Sequence, residues 1–350
     1  MSYWVLSAVE LGFLPPKSCS LDNLEPVLKY LDKRIPYLDP YIKKNLELFR
    51  LPKKTFPDAK FAISLALPYY YKPLQNEGFS LYCQGKDYHK VINTLLQEYL
   101  LKLQKHYLGY SFQAFCDTGP ILDRAVALAS GLGYLGKNTS IIHPQAGSFV
   151  FLATVVTDLP LENGNFIGFC AQCNACKSAC PTEAIMDSFL IDTNRCLSAL
   201  TQKKGFLSFD LCQKISGHIF GCDICQTVCP HNANIPSSSI ITPFYLLRNP
   251  DLNRLVAMDS EYRRLLLQSA ASWRGVNIIR RNALISLAFS DLPLDADMIE
   301  KMAKSDPSHL IRTYAAFCLE KRVGKDLWNI ALKDAPAEAL AFYKSIKNAR

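Results

Sequence analysis

Apolar residues recur along this chain in several rhythms, and each rhythm predicts a different kind of element. Between Tyr88 and Tyr107, Val91, Ile92, Leu95, Leu96, Tyr99, Leu100 and Leu103 fall at three- and four-residue steps. That is the period of a helix with one buried stripe. Residues 59–71 form an almost unbroken apolar run ending in three tyrosines, which reads as a buried strand. Residues 148–157 make a second such run, and 110–116 alternate loosely as a third strand. Gly119-Pro120 opens a predicted helix reaching about Ser130, since proline is tolerated in a first helical turn. Strands alternating with helices predict an α/β domain over residues 1–160. From 241 to 350 the pattern is helical, and Ile279-Arg280-Arg281-Asn282-Ala283 with Leu287 returns as Ile311-Arg312-Thr313-Tyr314-Ala315 with Leu319. That spacing suits either a helical-pair repeat or two ordinary amphipathic helices.

Cysteine organises the stretch between, residues 161–240. Cys170, Cys173, Cys176 and Cys180-Pro181 read C-x2-C-x2-C-x3-C-P, and Cys222, Cys225 and Cys229-Pro230 read C-x2-C-x3-C-P with Cys196 upstream. In two-cluster bacterial ferredoxins the cysteine before the proline ligates the other cluster. The spacing therefore predicts one 4Fe-4S cluster on Cys170, Cys173, Cys176 and Cys229 and a second on Cys196, Cys222, Cys225 and Cys180. Cys212 is an alternative to Cys196. Paired zinc knuckles or a secreted disulfide framework would not require the doubled C-x3-C-P. Cys19, Cys83, Cys116 and Cys318 read as small buried hydrophobes.

Composition narrows the class. With 350 residues, 49% of them hydrophobic, the chain can bury a full core and divide into two or three domains. The first sixteen residues lack a basic segment and carry Glu10 in their apolar run, and no later run approaches the ~20 apolar residues of a membrane span. A reducing cytoplasm, no membrane and a monomer are the expectation. A net charge of +8 favours a polyanionic partner without identifying one. Lys203, Lys204, Arg274, Arg280 and Arg281 are the candidates for phosphate contacts, against the alternative of solvated helix faces. The six histidines show no metal-ligand spacing.

Asp117 stands where a predicted strand hands over to a predicted helix, so it either caps that helix or acts as a general acid. Residues 131–139, Gly-Leu-Gly-Tyr-Leu-Gly-Lys-Asn-Thr, spell both G-x-G-x-x-G and most of a P-loop, but a helix precedes them and an extended segment follows. Both nucleotide fingerprints need the reverse order. The glycines read instead as a place where backbone approaches a bulky ligand, with Lys137 and Asn138 offering a cation and an amide, or as a helix C-cap leading into a loop.

Taken in order, Asp117-Thr-Gly-Pro, Gly131 to Thr139, Cys170-x2-Cys-x2-Cys-x3-Cys-Pro-Thr-Glu-Ala, Arg195-Cys196, Gly221-Cys222-Asp-Ile-Cys225-Gln-Thr-Val-Cys229-Pro and Ser272-Trp-Arg-Gly275 resemble the epoxyqueuosine reductase family. The resemblance implies an α/β cobalamin-binding domain, a ferredoxin-like two-cluster module and an all-α HEAT-like domain. It implies reduction of epoxyqueuosine to queuosine at the wobble position of tRNA by cob(I)alamin. Electrons from an unidentified low-potential donor would pass through two 4Fe-4S clusters, and Asp117 would be the proton donor. Asp117, Arg124, Lys137, Asn138, Thr139, Ser148 and Ser198 are the cobalamin contacts it implies. His231 departs from the family, which has tryptophan after that Cys-Pro. A reductive dehalogenase on a related plan, or an electron-relay module that binds tRNA or protein, are the alternatives.

Overall fold

The computed structural model describes residues 1–24, 36–37, 44, 46–47, 52–72, 78–170, 172–186, 189–238 and 240–349. They fall into two compact units: residues 1–72, 87–194 and 224–242 form the first, and 73–86, 195–223 and 243–350 the second. The segment around Cys196 and Cys212 groups with the C-terminal helices, and the segment from Ile224 to Thr242 with the N-terminal unit.

In the first unit, helix α1 (Tyr3–Glu10) precedes strand β1 (Lys17–Ser20) and β2 (Phe61–Pro68); α2 (Tyr88–His106) leads to β3 (Phe112–Phe115) and α3 (Asp123–Ala129). A short hairpin, β4 (Tyr134–Leu135) and β5 (Ile141–Ile142), comes before β6 (Val150–Thr157). The four-stranded sheet has the order β1-β2-β6-β3, with every neighbouring pair antiparallel. The unit is mixed α and β, as the alternation predicts, but it is not a parallel, doubly wound sheet.

β2 is a continuous apolar run because both of its faces are covered. Ala62 and Ala66 pack with Ala125, Val126, Ala127 and Leu128 of α3, and the alternate residues Ile63, Leu65 and Leu67 are fully buried on the opposite side. The alanines of α3 let that helix approach the sheet closely. α2 buries Ile92, Leu96, Tyr99 and Leu103, the stripe its periodicity gives, and packs on β3 and α1.

In the second unit, α4 (Leu197–Gln202), α5 (Phe209–Ile215) and α6 (Leu252–Ala257) pack on α7 (Val276–Ala288), and α8 (Ala296–Ser305) and α9 (His309–Val323) continue the layers. The two copies of the 32-residue pattern lie on α7 and α9, which pack together. No helix among the described residues is long and apolar enough to cross a membrane.

Two of the basic residues suggested for phosphate are used up here. Arg281 is fully buried, its Nη1 donating to the carbonyls of Lys203 and Gly205 at 2.7 Å each and its Nε and Nη2 to Asn282 Oδ1. It braces the loop after α4 and cannot reach a phosphate. Arg280 is 12% exposed and paired with Asp306 at 2.6 Å, with Nε on the Val256 carbonyl.

Candidate active site and cluster ligands

A sharp local turn holds Asp117. Thr118 N donates back to the Cys116 carbonyl at 2.6 Å, and Asp117 takes a φ of +56°. Left-handed backbone costs about 1–3 kcal/mol in a non-glycine residue and persists where its surroundings over-determine it. Asp123, the first residue of α3, supplies that determination: its Oδ2 accepts the Asp117 N–H at 2.9 Å, and its Oδ1 lies 2.5 Å from Thr154 Oγ1 on β6. The helix expected from Gly119-Pro120 therefore starts only at Asp123, with Leu122 as an N-cap that makes no side-chain bond. Asp117 does not cap it.

The Asp117 carboxylate faces the first turn of α2 instead. The Tyr88 hydroxyl donates to Asp117 Oδ2, and His89 Nε2 stands 3.6 Å from the same oxygen. Asp87, the N-cap of α2, accepts the His89 N–H at 3.1 Å and holds the His89 Nδ1 at 2.9 Å. Tyr88 stacks between the His89 ring (4.0 Å) and Phe151 on β6 (4.1 Å, 3° between planes), and Phe151 stacks on Tyr69. Asp87, Tyr88, His89 and Asp123 were not among the sequence candidates. Asp-Tyr-His at the start of a strongly periodic helix was the available signal, and it reads equally well as an ordinary N-cap.

Asp123 is buried, and burial lifts its carboxyl from 3.8 to about 7, against the lowering hydrogen bond from Thr154 and with the nearby Asp117 charge adding to the rise. A carboxyl with a raised folded-state pKa stabilises the protein fully below about pH 4. That contribution disappears as pH rises through 7, because the unfolded chain releases the proton first. Asp123→Asn mimics the protonated carboxyl. The stability of wild type relative to Asp123→Asn, followed by denaturant midpoint, is expected to fall between pH 4 and 7 by roughly 4 kcal/mol, taken from the width of that window. A difference that stays flat over this range would show that Asp123 ionises like an exposed carboxylate.

All thirteen cysteines lie among the described residues, and none is in a disulfide. Cys176 and Cys229 have raised thiol pKa values, first through burial and then through neighbouring thiols: Cys170, Cys229 and Cys173 act on Cys176, and Cys170 and Cys173 on Cys229. These influences put the four thiols of the first predicted set in one neighbourhood, with Cys229 arriving from a later stretch of chain, while no group of three or more among the described residues is arranged to hold a single metal ion. Short helices Ala175–Ala179 and Ile224–Thr227 pack together. Backbone N–H groups point at the sulfurs: Lys137 N lies 3.3 Å from Cys170 Sγ and Ala175 N 3.4 Å from Cys173 Sγ. Such donors tune iron–sulfur clusters. Burial alone would raise the Cys180 thiol, but donors from Thr182, Ala184 and Ile185 outweigh it and lower the pKa.

Cys225 is half-buried in the first unit, and Cys196 and Cys222 are half-buried in the second. Cys212 is fully buried, with its Sγ 3.9 Å from the Tyr314 hydroxyl, and burial pushes its thiol up to about 12. It is a core residue rather than a fourth ligand. Cys19, Cys83, Cys116 and Cys318 are buried as expected.

The glycine-rich run does not form a nucleotide loop: α3 precedes it and the β4–β5 hairpin follows. Its glycines serve internal packing, since a Cβ on Gly131 would meet the Asn165 carbonyl at 2.2 Å and one on Gly133 would meet Ile141 and the Ile142 carbonyl. Lys137 Nζ donates to the Cys173 carbonyl at 3.0 Å and to Asn174 Oδ1 at 2.8 Å, bracing the ligand loop. Asn138 and Thr139 are buried, and Asn138 Oδ1 accepts the Ser140 N–H. Ser148 is buried too, bonded to Gln226 and Asn232 beside Cys225 and Cys229. Arg124 is exposed, and Ser198 is half-buried in the second unit. His231 pairs with the Tyr134 hydroxyl at 2.8 Å.

A family model described as epoxyqueuosine reductase QueG, DUF1730, matches residues 50–118, and one for a 4Fe-4S double cluster binding domain matches 169–232. The chain is 34% identical to the epoxyqueuosine reductase of Bacillus subtilis (strain 168), over 86% of this chain and 81% of that one. A crystal structure of selenomethionine-labelled epoxyqueuosine reductase superposes with a TM-score of 0.87 at 29% identity, covering 99% of this chain and 98% of the other. A structure of epoxyqueuosine reductase with an epoxyqueuosine-modified tRNA-Tyr stem loop gives 0.86 at 29%, covering 98% and 97%.

Proposed function

Because the chain belongs to the epoxyqueuosine reductase family, we propose that it reduces epoxyqueuosine to queuosine at the wobble position of tRNA, with two 4Fe-4S clusters and cobalamin as cofactors. What supports this reading is the match to epoxyqueuosine reductases over most of the chain, with Cys170, Cys173, Cys176 and Cys229 influencing one another in the unit that also presents Asp117. Those four thiols suit one cluster by number, sequence spacing and N–H···S donors, and the sequence spacing assigns Cys180, Cys196, Cys222 and Cys225 to the other. When bound, these groups supply single low-potential electrons and a cobalt centre, which amino-acid side chains cannot provide.

The remaining work belongs to the chain itself. The Asp117 carboxyl delivers a proton to the opening epoxide oxygen, and its exposed position suits contact with a large substrate. Tyr88 fixes the carboxyl by a hydrogen bond and is itself fixed by stacking on Phe151. The family resemblance offers Arg124, which is exposed, and Lys137 as cations for cobalamin in the first unit, with Asn138, Thr139 and Ser148 buried behind them, and it names Ser198 of the second unit as a further contact. A reduced, low-potential carrier is the electron source.

For tRNA the second unit offers Lys203 and Lys204, both exposed, beside Trp273. The Trp273 indole N–H donates to Gln202 at 3.0 Å, and the Arg274 guanidinium lies 3.7 Å from the centre of the Trp273 ring. Trp273 is exposed and Arg274 half-buried, and aromatic rings of this kind stack on unpaired bases. We place the HEAT-like helical layers behind this surface. Replacing both lysines with alanine is expected to weaken tRNA binding and to flatten its log–log salt dependence by roughly 1.5. An unchanged slope would move the phosphate contacts elsewhere.

The direct test is anaerobic incubation of epoxyqueuosine-containing tRNA with reduced protein, with and without added cobalamin. Conversion to queuosine that depends on cobalamin is the expected result. Failure to convert in the loaded, reduced protein overturns the reading.

A further inference from the structure

Deoxygenating an epoxide to an alkene consumes two electrons and two protons and releases water. Asp117 holds one proton. Another must reach the leaving oxygen in the same turnover, so something has to reload the Asp117 carboxylate. Among the described residues, Asp87, Tyr88, His89, Asp123 and the buried Cys116 are titratable groups set around it. Asp123 is buried, with its oxygens directed to Thr154 and to the Asp117 backbone rather than to the Asp117 carboxylate. Tyr88 donates a hydrogen bond, but a phenol of ordinary pKa ≈10 is a poor proton source near neutrality. His89 offers an imidazole, a side chain that can both take and give a proton. Its Nε2 faces Asp117 Oδ2 at 3.6 Å, its Nδ1 is held by Asp87 at 2.9 Å, and its side chain is 34% exposed.

Building on the proposed function, we propose that His89, oriented by Asp87, supplies the second proton by reloading Asp117. The imidazolium Nε2–H bond breaks as an O–H bond forms on Asp117 Oδ2. The ring is left neutral with its Nδ1–H on Asp87, and solvent restores the lost proton. The two electrons come from the low-potential carrier of the proposed reaction, so charge and atoms balance. The Asp87–His89–Asp117 line gives the proton a fixed direction, from water to the carboxylate that meets the substrate.

The experiment is steady-state reduction of epoxyqueuosine-containing tRNA by His89→Gly, with iron content, corrin absorption and tRNA affinity measured on the same preparation. Turnover is expected to fall about 100-fold, the lower end for loss of an acid–base partner, with the other three readings at wild-type values. Added imidazole should restore a large part of the rate. Added 1,3-dimethylimidazolium, which has the same shape and charge but no transferable proton, should restore none. His89→Asn, which preserves polarity at the position, should be as slow as His89→Gly.

Wild-type turnover in His89→Gly, or equal rescue by the two imidazolium compounds, overturns the proposal while leaving the reductase reading intact. A wild-type enzyme that fails to convert the tRNA removes both.

Discussion

Asp117→Asn is expected to lower turnover by roughly 10²- to 10⁴-fold, the usual worth of a general acid, with cluster content, cobalamin binding and tRNA affinity unchanged. The substitution isolates the proton. Asparagine tolerates left-handed backbone nearly as well as aspartate, so the φ of +56° and the bond from the Asp117 N–H position to Asp123 should persist. Its side-chain oxygen still accepts the Tyr88 hydroxyl. Asp117→Ala would be a poorer probe, because it adds left-handed strain of about 1–2 kcal/mol to the chemical loss. A single-turnover assay on epoxyqueuosine-containing tRNA reads the effect. Wild-type rates in Asp117→Asn would show that water or another side chain protonates the oxygen, and the line from Asp87 through His89 would then lead nowhere.

Much of this was legible in the chain because it depends on local spacing. The period of α2, the doubly buried β2 and the four-thiol set follow from patterns that a few adjacent turns or strands enforce. What escaped depends on contacts distant in sequence. Arg281 looks like a phosphate ligand in a basic run, yet carbonyls 78 and 76 residues upstream satisfy it in the core. Asp123 looks like one more acidic residue in a helix's first turn, yet Thr154 and the backbone of Asp117 make it the anchor of the site. Pro120 looks like a helix start, but the turn at Asp117 delays the helix to Asp123. His89 is invisible until α2 and the loop after β3 are brought together. In each case the residue type was read correctly for an average surface, and the tertiary partner changed its meaning.

Cys229→Ala should cost about half of the roughly eight irons expected for two cubanes, and turnover should fall to background. Cys229 is the one member of the first set that comes from outside residues 170–176, and it follows directly on the short helix that carries Cys225. Removing it opens one cluster and frees the chain that orders a ligand of the other, so iron loss beyond one half is also within the expected outcome. Cys212→Ala is the control: its thiol is buried against Tyr314, so iron content and turnover should stay near wild type, with a small loss of stability from the cavity. Iron and sulfide analysis of anaerobically prepared protein decides between them. Full iron in Cys229→Ala with depleted iron in Cys212→Ala would mean that the ligand sets are drawn wrongly. Electrons would then have to reach the cobalt by a route other than the two cubanes set out above.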